Sequence, residues 1–427
     1  MIKYIIEMER FIYMVKLNNT FEFVGTLNLM KEPVKTTEFD SGWTKKELKA
    51  VLNESKANGV FLALEGGYYK SKGQPDKVFS FTKKLFGEKG GKLELTWDDR
   101  NNQSIINKVA EFSKTVLDLT TDAEVKEKYA ELRKEIWKIE NNENATDEDK
   151  SKLEQLYKDV KETVPHRYEF LHELDVLNFF EKHNEKLSGK KFKVKGEVKV
   201  SHWNGKFYTN YVPSHFELAD EDEPNKLALD LDLYFDKDVI DKSLFKSEKV
   251  MTFNTYILGY DSGHRKDVFF PLQTVLNAST YDLENTKHNA HINIVEKFFT
   301  VKGKKVFQLP YSAKVISGAE VKDFSEVDLT DDQKTLIEIG MATMDDFKPK
   351  GQTFGDNLNE IRLMFPKIKD LGEGANFTTG AIETDFEATE LEYTAAERQT
   401  TVSDVKNTVD KKKESDPFDI SEDDLPF

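Results

Sequence analysis

A chain of 427 residues with 38% hydrophobic content, 31 Phe and 15 Tyr is long enough for two or three domains, and its aromatic excess favours β-rich domains over helical bundles. It contains no cysteine, which excludes disulfides and thiolate metal sites and fits a cytosolic setting, and no run reaches the roughly eighteen apolar residues that span a bilayer. The net charge is −16, but residues 370–427 hold 16 acids against 5 bases, so residues 1–369 carry only −5 and leave room for a basic groove.

The opening MIKYIIEMERFIYMVKL is interrupted by Lys3, Glu7, Glu9 and Arg10 and lacks a small-residue cleavage site. It reads as a first strand, or as sequence ahead of a start at Met14, rather than as a signal peptide. Residues 1–110 are predicted to form a β domain. TFEFVGTLNL alternates Phe21, Phe23, Gly25, Leu27 and Leu29 with period two. GVFLALEGGYYK and KVFSFTKKLF flank the turn-rich SKGQPD, and GKLELTW adds a strand. Between them TKKELKAVLNESKANG has helical spacing and ends on Gly59, a plausible C-cap.

Residues 111–187 change character. Val125, Tyr129, Leu132, Ile136 and Ile139 step by four and three, the spacing of a helix-packing seam. ENNENATDED breaks that helix, Thr146 with Asp149 resembles a capping box, and Leu153, Leu156, Val160 and Val164 form a second seam before Pro165. This predicts an antiparallel helical hairpin inserted between β domains, for which a plain spacer is the simplest role.

Residues 188–320 read as a second β domain. KKFKVKGEVKVSHWNGKFYTNYVPSHFEL holds two strands joined by Asn204-Gly205, a strong short hairpin signal. LALDLDLYF, KVMTFNTYILGY, KDVFFPLQTVL, HINIVEKFFTV and KVFQLPYSAKVI supply further strands, with turns at DSGHR and VKGKK. A small closed or partly open barrel is expected, a β-sandwich being the alternative. Residues 321–372 read as a short helical segment, in which Thr330 and Gln333 cap DDQKTLIEIG and DNLNEIRLMF stops at Pro366. Residues 373–427 have no periodicity and are expected to be a disordered acidic tail.

The Asn204-Gly205 turn sets a register that sorts side chains. It places Trp203 opposite Lys206, Tyr208 opposite Ser201 and Asn210 opposite Lys199, with Phe192, Val194, Val198, Val200, Phe207 and Tyr211 on the core face. The other face collects Lys191, Lys193, Lys195, Lys199, Trp203, Lys206, Tyr208 and Asn210. Lysines neutralise phosphates, and aromatic rings stack on any base, so this face is the candidate nucleic-acid contact. A solvated face with rings packed on lysine stems is the competing reading. Tyr68, Tyr69, Lys70, Lys72 and Trp97 are similar candidates in the N-terminal domain.

Catalytic patterns are weak. His288 and His291 lack a carboxylate to complete a metal set, and His291 is read as opening a strand. Asp230 and Asp232 share a strand face, an arrangement far commoner among solvated acids than in metal sites. Asp261, His264 and Asp267 have ordinary turn composition, and there is no phosphate-binding glycine loop or nucleophile elbow. An enzyme, a metal and a cofactor are therefore not expected.

The chain ends in DPFDISEDDLPF. Acids followed by a terminal aromatic suit a partner with a basic rim, an apolar slot and donors for a carboxylate. These twelve residues closely resemble the C-terminal tip of bacterial single-stranded DNA-binding proteins, and the whole chain is loosely similar to the larger single-stranded DNA-binding proteins of phages that infect low-GC Gram-positive bacteria. The resemblance implies that Phe427 fills a partner's pocket, Pro426 shapes the approach, and Asp423 and Asp424 meet the basic rim, with Asp419, Glu422 and Leu425 completing the tip. The bacterial members are much shorter, with one OB domain. With the two β domains read above, the resemblance leads to an expectation of tandem OB-like barrels. It further implies sequence-nonspecific binding of single-stranded DNA in replication or recombination, and recruitment of helicase, primosome and recombination proteins. The setting would be the cytoplasm of an infected bacterium, with no membrane partner. A strand-annealing or recombination-mediator protein is the neighbouring alternative, and a decoy that occupies the host's tip-binding partners without touching DNA is the distant one. A further expectation is that the acidic tail competes with DNA for the basic groove.

Overall fold

The computed structural model describes residues 19–261, 263–282, 284–322, 329–347, 353–367 and 380–394. The opening segment and the whole C-terminal tip, from Asp419 and Glu422 to Phe427, lie outside the described residues.

The protein is mainly β, and nearly all of its strands belong to one continuous sheet. This sheet includes the short strands β7 (Thr115–Asp118), β8 (Arg167–Phe170) and β12 (Ile240–Asp241), while β5 (Lys77–Phe81) and β6 (Lys92–Thr96) pair apart from it. Five strands close a barrel: β11 (Lys226–Phe235), β13 (Val250–Asp261), β14 (Lys266–Asn277), β15 (Lys305–Lys322) and β16 (Thr353–Pro366). Around the ring β11 pairs with β13 at Tyr234–Tyr256, β13 with β14, β14 with β16 in parallel at Val275–Arg362, β16 with β15, and β15 with β11. In chain order this is 1-2-3-5-4-1. A helix, Thr286–Phe299, lies between the third and fourth strands.

A second circuit has the same order. It comprises β1 (Thr20–Glu38), β2 (Trp43–Asn53), β3 (Gly59–Phe61), β9 (Lys191–Trp203) and β10 (Lys206–Leu218). Antiparallel pairings join β1 to β2, β2 to β3, β10 to β9 and β9 to β1. A parallel bridge between Leu62 and Tyr211 joins the third strand to the fifth. The Lys191–Leu218 hairpin thus closes a ring with β1 to β3, and the barrel that follows it is completed by β16 instead.

The first strands of the two circuits pair with each other, antiparallel, from Thr20–Asp230 to Val24–Lys226. The central sheet therefore runs β15-β11-β1-β9, fourth and first strands of one circuit against first and fourth of the other. Antiparallel pairing of equivalent strands implies a local two-fold relation, and a loop contact adds to the joint. Asn58, between the second and third strands of one circuit, bridges Gly318 on β15 and accepts from Ser317 N at 2.8 Å. A Cβ on Gly318 would lie 1.8 Å from Ala57 O, so this close approach requires glycine.

β1 serves both circuits. It changes partners along its length, Thr20–Val24 pairing with β11, Thr20–Thr26 with β9 and Thr26–Glu38 with β2, and a bulge between Leu29 and Val34 bends it within the β2 ladder. Phe21, Phe23 and Leu27 enter the main core, which is continuous with the barrel interior of Leu227, Leu229, Leu231, Leu233 and Phe235. Burying such side chains contributes about 1.5–3 kcal/mol each.

Three stretches fold differently from their sequence pattern. TKKELKAVLNESKANG is not helical; Thr44, Leu48, Ala50 and Leu52 are buried with period two, and β2 is held between β1, β3 and β4 (Glu65–Tyr69). Ladder pairing here overrides the helix propensity of Lys, Glu, Leu and Ala. HINIVEKFFTV is the helix Thr286–Phe299 instead of a strand, capped by Asn285, with Ile292, Val295 and Phe299 inward and Ile294 exposed. DNLNEIRLMF lies in β16, because its pairing with β15 and β14 closes the barrel. The capping box of Thr330 and Gln333 does form, on the helix Asp331–Glu338.

The helical arm is present as Ala123–Glu140 and Asp147–Thr163, with the Thr146–Asp149 capping box. Ile136, Ile139, Leu153 and Leu156 form its own small core. Within the stretch read as tail, residues 382–387 form a strand, β17, paired with β15 at Phe307–Glu383 and Gln308–Ile382. Ile382, Thr384 and Phe386 are its half-buried side, a short period-two signal between acids.

Candidate nucleic-acid interface

The hairpin has the expected register throughout its outer half: Lys206–Trp203, Phe207–His202, Tyr208–Ser201, Asn210–Lys199 and Tyr211–Val198. Asn204 and Gly205 both have positive φ, 49° and 75°, as a two-residue turn matched to strand twist requires. Phe192, Val194, Val198 and Val200 are buried and Tyr211 packs against the core. Phe207 is on the expected side but reaches past the core, where its ring meets His202 and Tyr393.

The outward face divides into two halves of different character. Near its base, Lys191 donates to the carbonyls of Glu221 and Glu223, Lys193 pairs with Glu223 at 2.8 Å, and Lys195 pairs with Glu22 at 3.0 Å. Burial would lower the Lys193 pKa, but Glu223, Glu217 and Glu22 outweigh it and hold it above the ordinary lysine value. These three lysines already have anionic or carbonyl partners. At the tip, Trp203 is 55% and Tyr208 46% exposed, and Lys206 has no ion-pair partner among the described residues. Lys199 makes only an exposed 3.1 Å contact with Glu197, of the kind worth little.

Asn210 connects this tip to a groove. Its amide donates to Ser201 Oγ and Tyr208 O, both at 3.0 Å, and it lines an open cleft of about 810 Å³ on the outer face of β1, β2 and β3. Met30, Phe61, Lys31, Lys35 and Lys49 face this cleft, together with Glu32, Glu47 and Glu65. Phe61 is 65% exposed because its neighbours Val60 and Leu62 take the inward positions. Glu47 is held below the usual carboxylate range, since hydrogen bonds from Lys49 and Lys45 outweigh its burial. The sequence reading missed this cleft. The alternation Val60, Leu62, Leu64 inward with Phe61 outward was its available signal, and the bulge that brings Met30 and Lys31 alongside was not visible.

The other candidates are placed elsewhere. Trp97 is buried, stacked beneath the Arg100 guanidinium, and is not a surface platform. Tyr69 is exposed against Trp43, while Lys70 pairs with Glu38 and Lys72 with Asp76. Asp230 is engaged by Ser312 and Lys367, and Asp232 is buried on β11. His264 contacts Asp261 at 2.6 Å, and His291 bonds Tyr281. Among the described residues no group of three His, Asp or Glu side chains is placed to hold a metal, and no helix is long and apolar enough to cross a membrane. Comparison with known protein families, with curated proteins and with solved structures finds no match to this chain.

Proposed function

We propose that this protein binds single-stranded DNA without sequence preference, through tandem OB-like barrels, and recruits replication or recombination proteins through its DPFDISEDDLPF tip. The observation that carries the reading is the groove on β1, β2 and β3 and its continuation to the β9–β10 tip. In OB folds the second and third strands and the loops flanking the first and last strand pairs form the ligand face. Here that face offers Phe61, Tyr208 and Trp203 for stacking, and Lys31, Lys35, Lys199 and Lys206 for phosphates, while Lys49 is already engaged by Glu47. Two circuits of order 1-2-3-5-4-1, each with a parallel contact between third and fifth strands, support the OB-like assignment of both. The proposed role is binding and recruitment rather than catalysis.

The test is intrinsic tryptophan fluorescence on adding a homopolymeric single strand, titrated with salt, with Trp203→Phe as the assignment control. Quenching that weakens steeply with salt is expected. Absence of salt-sensitive binding would sink the reading and leave the decoy role.

A further inference from the structure

The two circuits present equivalent outer faces in different states. In the first, Phe61 is the last residue of the third strand, paired with Val51, and is 65% exposed, lining the groove. In the barrel, Phe269 projects outward from the third strand and is only 4% exposed. What covers it is the chain's own segment 382–393. Phe386 meets Phe269 edge-on at 5.1 Å, and Leu391 is buried with Tyr234, Phe269 and Val306, against Tyr256 and Leu258. These are outward residues of the first, second, third and fourth strands. They form a cluster separate from the interior of the barrel.

The covering segment has the chemistry of a strand it would exclude. It presents rings, Phe386 and Tyr393, among five acids (Glu383, Asp385, Glu387, Glu390 and Glu392) and no base between residues 380 and 394. It is held by backbone pairing with β15, by Ala388 N donating to Lys304 O at 2.9 Å, by Lys305 to Glu387 at 2.6 Å and to Asp385 O at 3.2 Å, by Thr384 Oγ1 to Val306 O at 2.8 Å, and by the Tyr393 hydroxyl to Asp261 at 3.0 Å. Tyr393 also packs on Phe207 and His202, at the tip of the hairpin from the other circuit.

We propose that the outer face of the barrel formed by β11, β13 and β14 is a second single-strand DNA site, closed by residues 382–393. This rests on the proposed DNA binding. The second strand site opens only when Phe386, Leu391 and Tyr393 lift away, and lifting also frees the Phe207 face of the hairpin tip.

The probe is a dT oligomer of about eight nucleotides, within the roughly 4–16 nucleotides that one OB fold accommodates. Stoichiometry and stepwise affinity are read by calorimetry and native mass spectrometry. The intact protein should bind one oligomer tightly and a second weakly. Phe386→Ala with Tyr393→Ala should tighten the second step at least tenfold. Because the chain has no cysteine and Lys305 and Glu387 are paired across β15 and β17, Lys305→Cys with Glu387→Cys gives a clean lock. When oxidised it should abolish the second step and leave the first unchanged, and reduction should restore it. A second step unaffected by release and by locking, or absent throughout while the first is intact, overturns the covered site alone. Absence of both steps in the intact protein overturns the covered site and the proposed function together.

Discussion

The amide of Ala63 donates to the carbonyl of Tyr211 at 2.8 Å. With the adjoining Leu62–Tyr211 bridge, this bond is where a strand near the N terminus closes a ring with one almost 150 residues later. The long insertion between them, with its helical arm, leaves the closure to very few backbone contacts. Ala63→Pro removes the donor, and an unpaired strand acceptor costs about 1–3 kcal/mol. The variant should unfold earlier in urea, and amides of β3 and β10 should lose hydrogen-exchange protection first.

The hairpin face should divide functionally as it divides structurally. Trp203→Ala, Tyr208→Ala and Phe61→Ala should each weaken single-strand binding by about 1–3 kcal/mol, the usual cost of one lost stacking ring. Lys206→Ala should reduce the salt slope by about 0.7, one phosphate contact. Lys193→Ala should leave both affinity and slope nearly unchanged, since Glu223 already holds that lysine. Equal losses for Lys193 and Lys206, measured by fluorescence titration, would contradict this division.

Glu22 joins three strands: Lys195 of β9 and Lys226 of β11 both engage it from either side of β1. Burial would raise its pKa, but the two lysine hydrogen bonds outweigh that and hold it down at about 2. A depressed folded value means the stabilisation is present above the unfolded carboxylate range and is lost as pH falls from about 4.3 towards 2. Glu22→Gln should therefore lower the urea midpoint at pH 7, and converge with the parent protein near pH 2. Parallel curves across that window would show that the contact contributes no pH dependence.

Arg100 and Asp175 form a buried bidentate pair, at 2.8 and 3.0 Å, with the guanidinium stacked 3.6 Å from the Trp97 ring centre. Asp175→Ala would strand a buried cation and should cost about 3–5 kcal/mol. Arg100→Met combined with Asp175→Leu should recover most of that in thermal unfolding. A double variant no better than the single one would mean that packing, not the stranded charge, sets the cost.

Much of the local structure was legible because it rests on local chemistry. Asn204-Gly205 dictated its turn and register, the Val125-to-Ile139 spacing and the Thr146 and Thr330 caps dictated their helices, and the alternation around Phe21 dictated β1. The misread stretches share one cause. Residues 44–53 and 353–366 have spacings compatible with either period, and only the partner strands on both sides select the extended form. Residues 291–299 were misread in the opposite sense: Ile292 and Ile294 alternate, yet Val295 and Phe299 select the helical face.

By itself the sequence determined a β-rich chain with an inserted helical arm, a lysine-aromatic hairpin and an acidic C-terminal segment, since each depends on neighbours within a few residues. Only the tertiary structure decided which strands close which ring, that Phe61 faces an open groove while Phe269 is covered by residues 382–393, and that Lys191, Lys193 and Lys195 are already engaged. Those outcomes depend on carboxylates, rings and carbonyls brought together from distant parts of the chain, and no pattern read along the chain encodes such meetings.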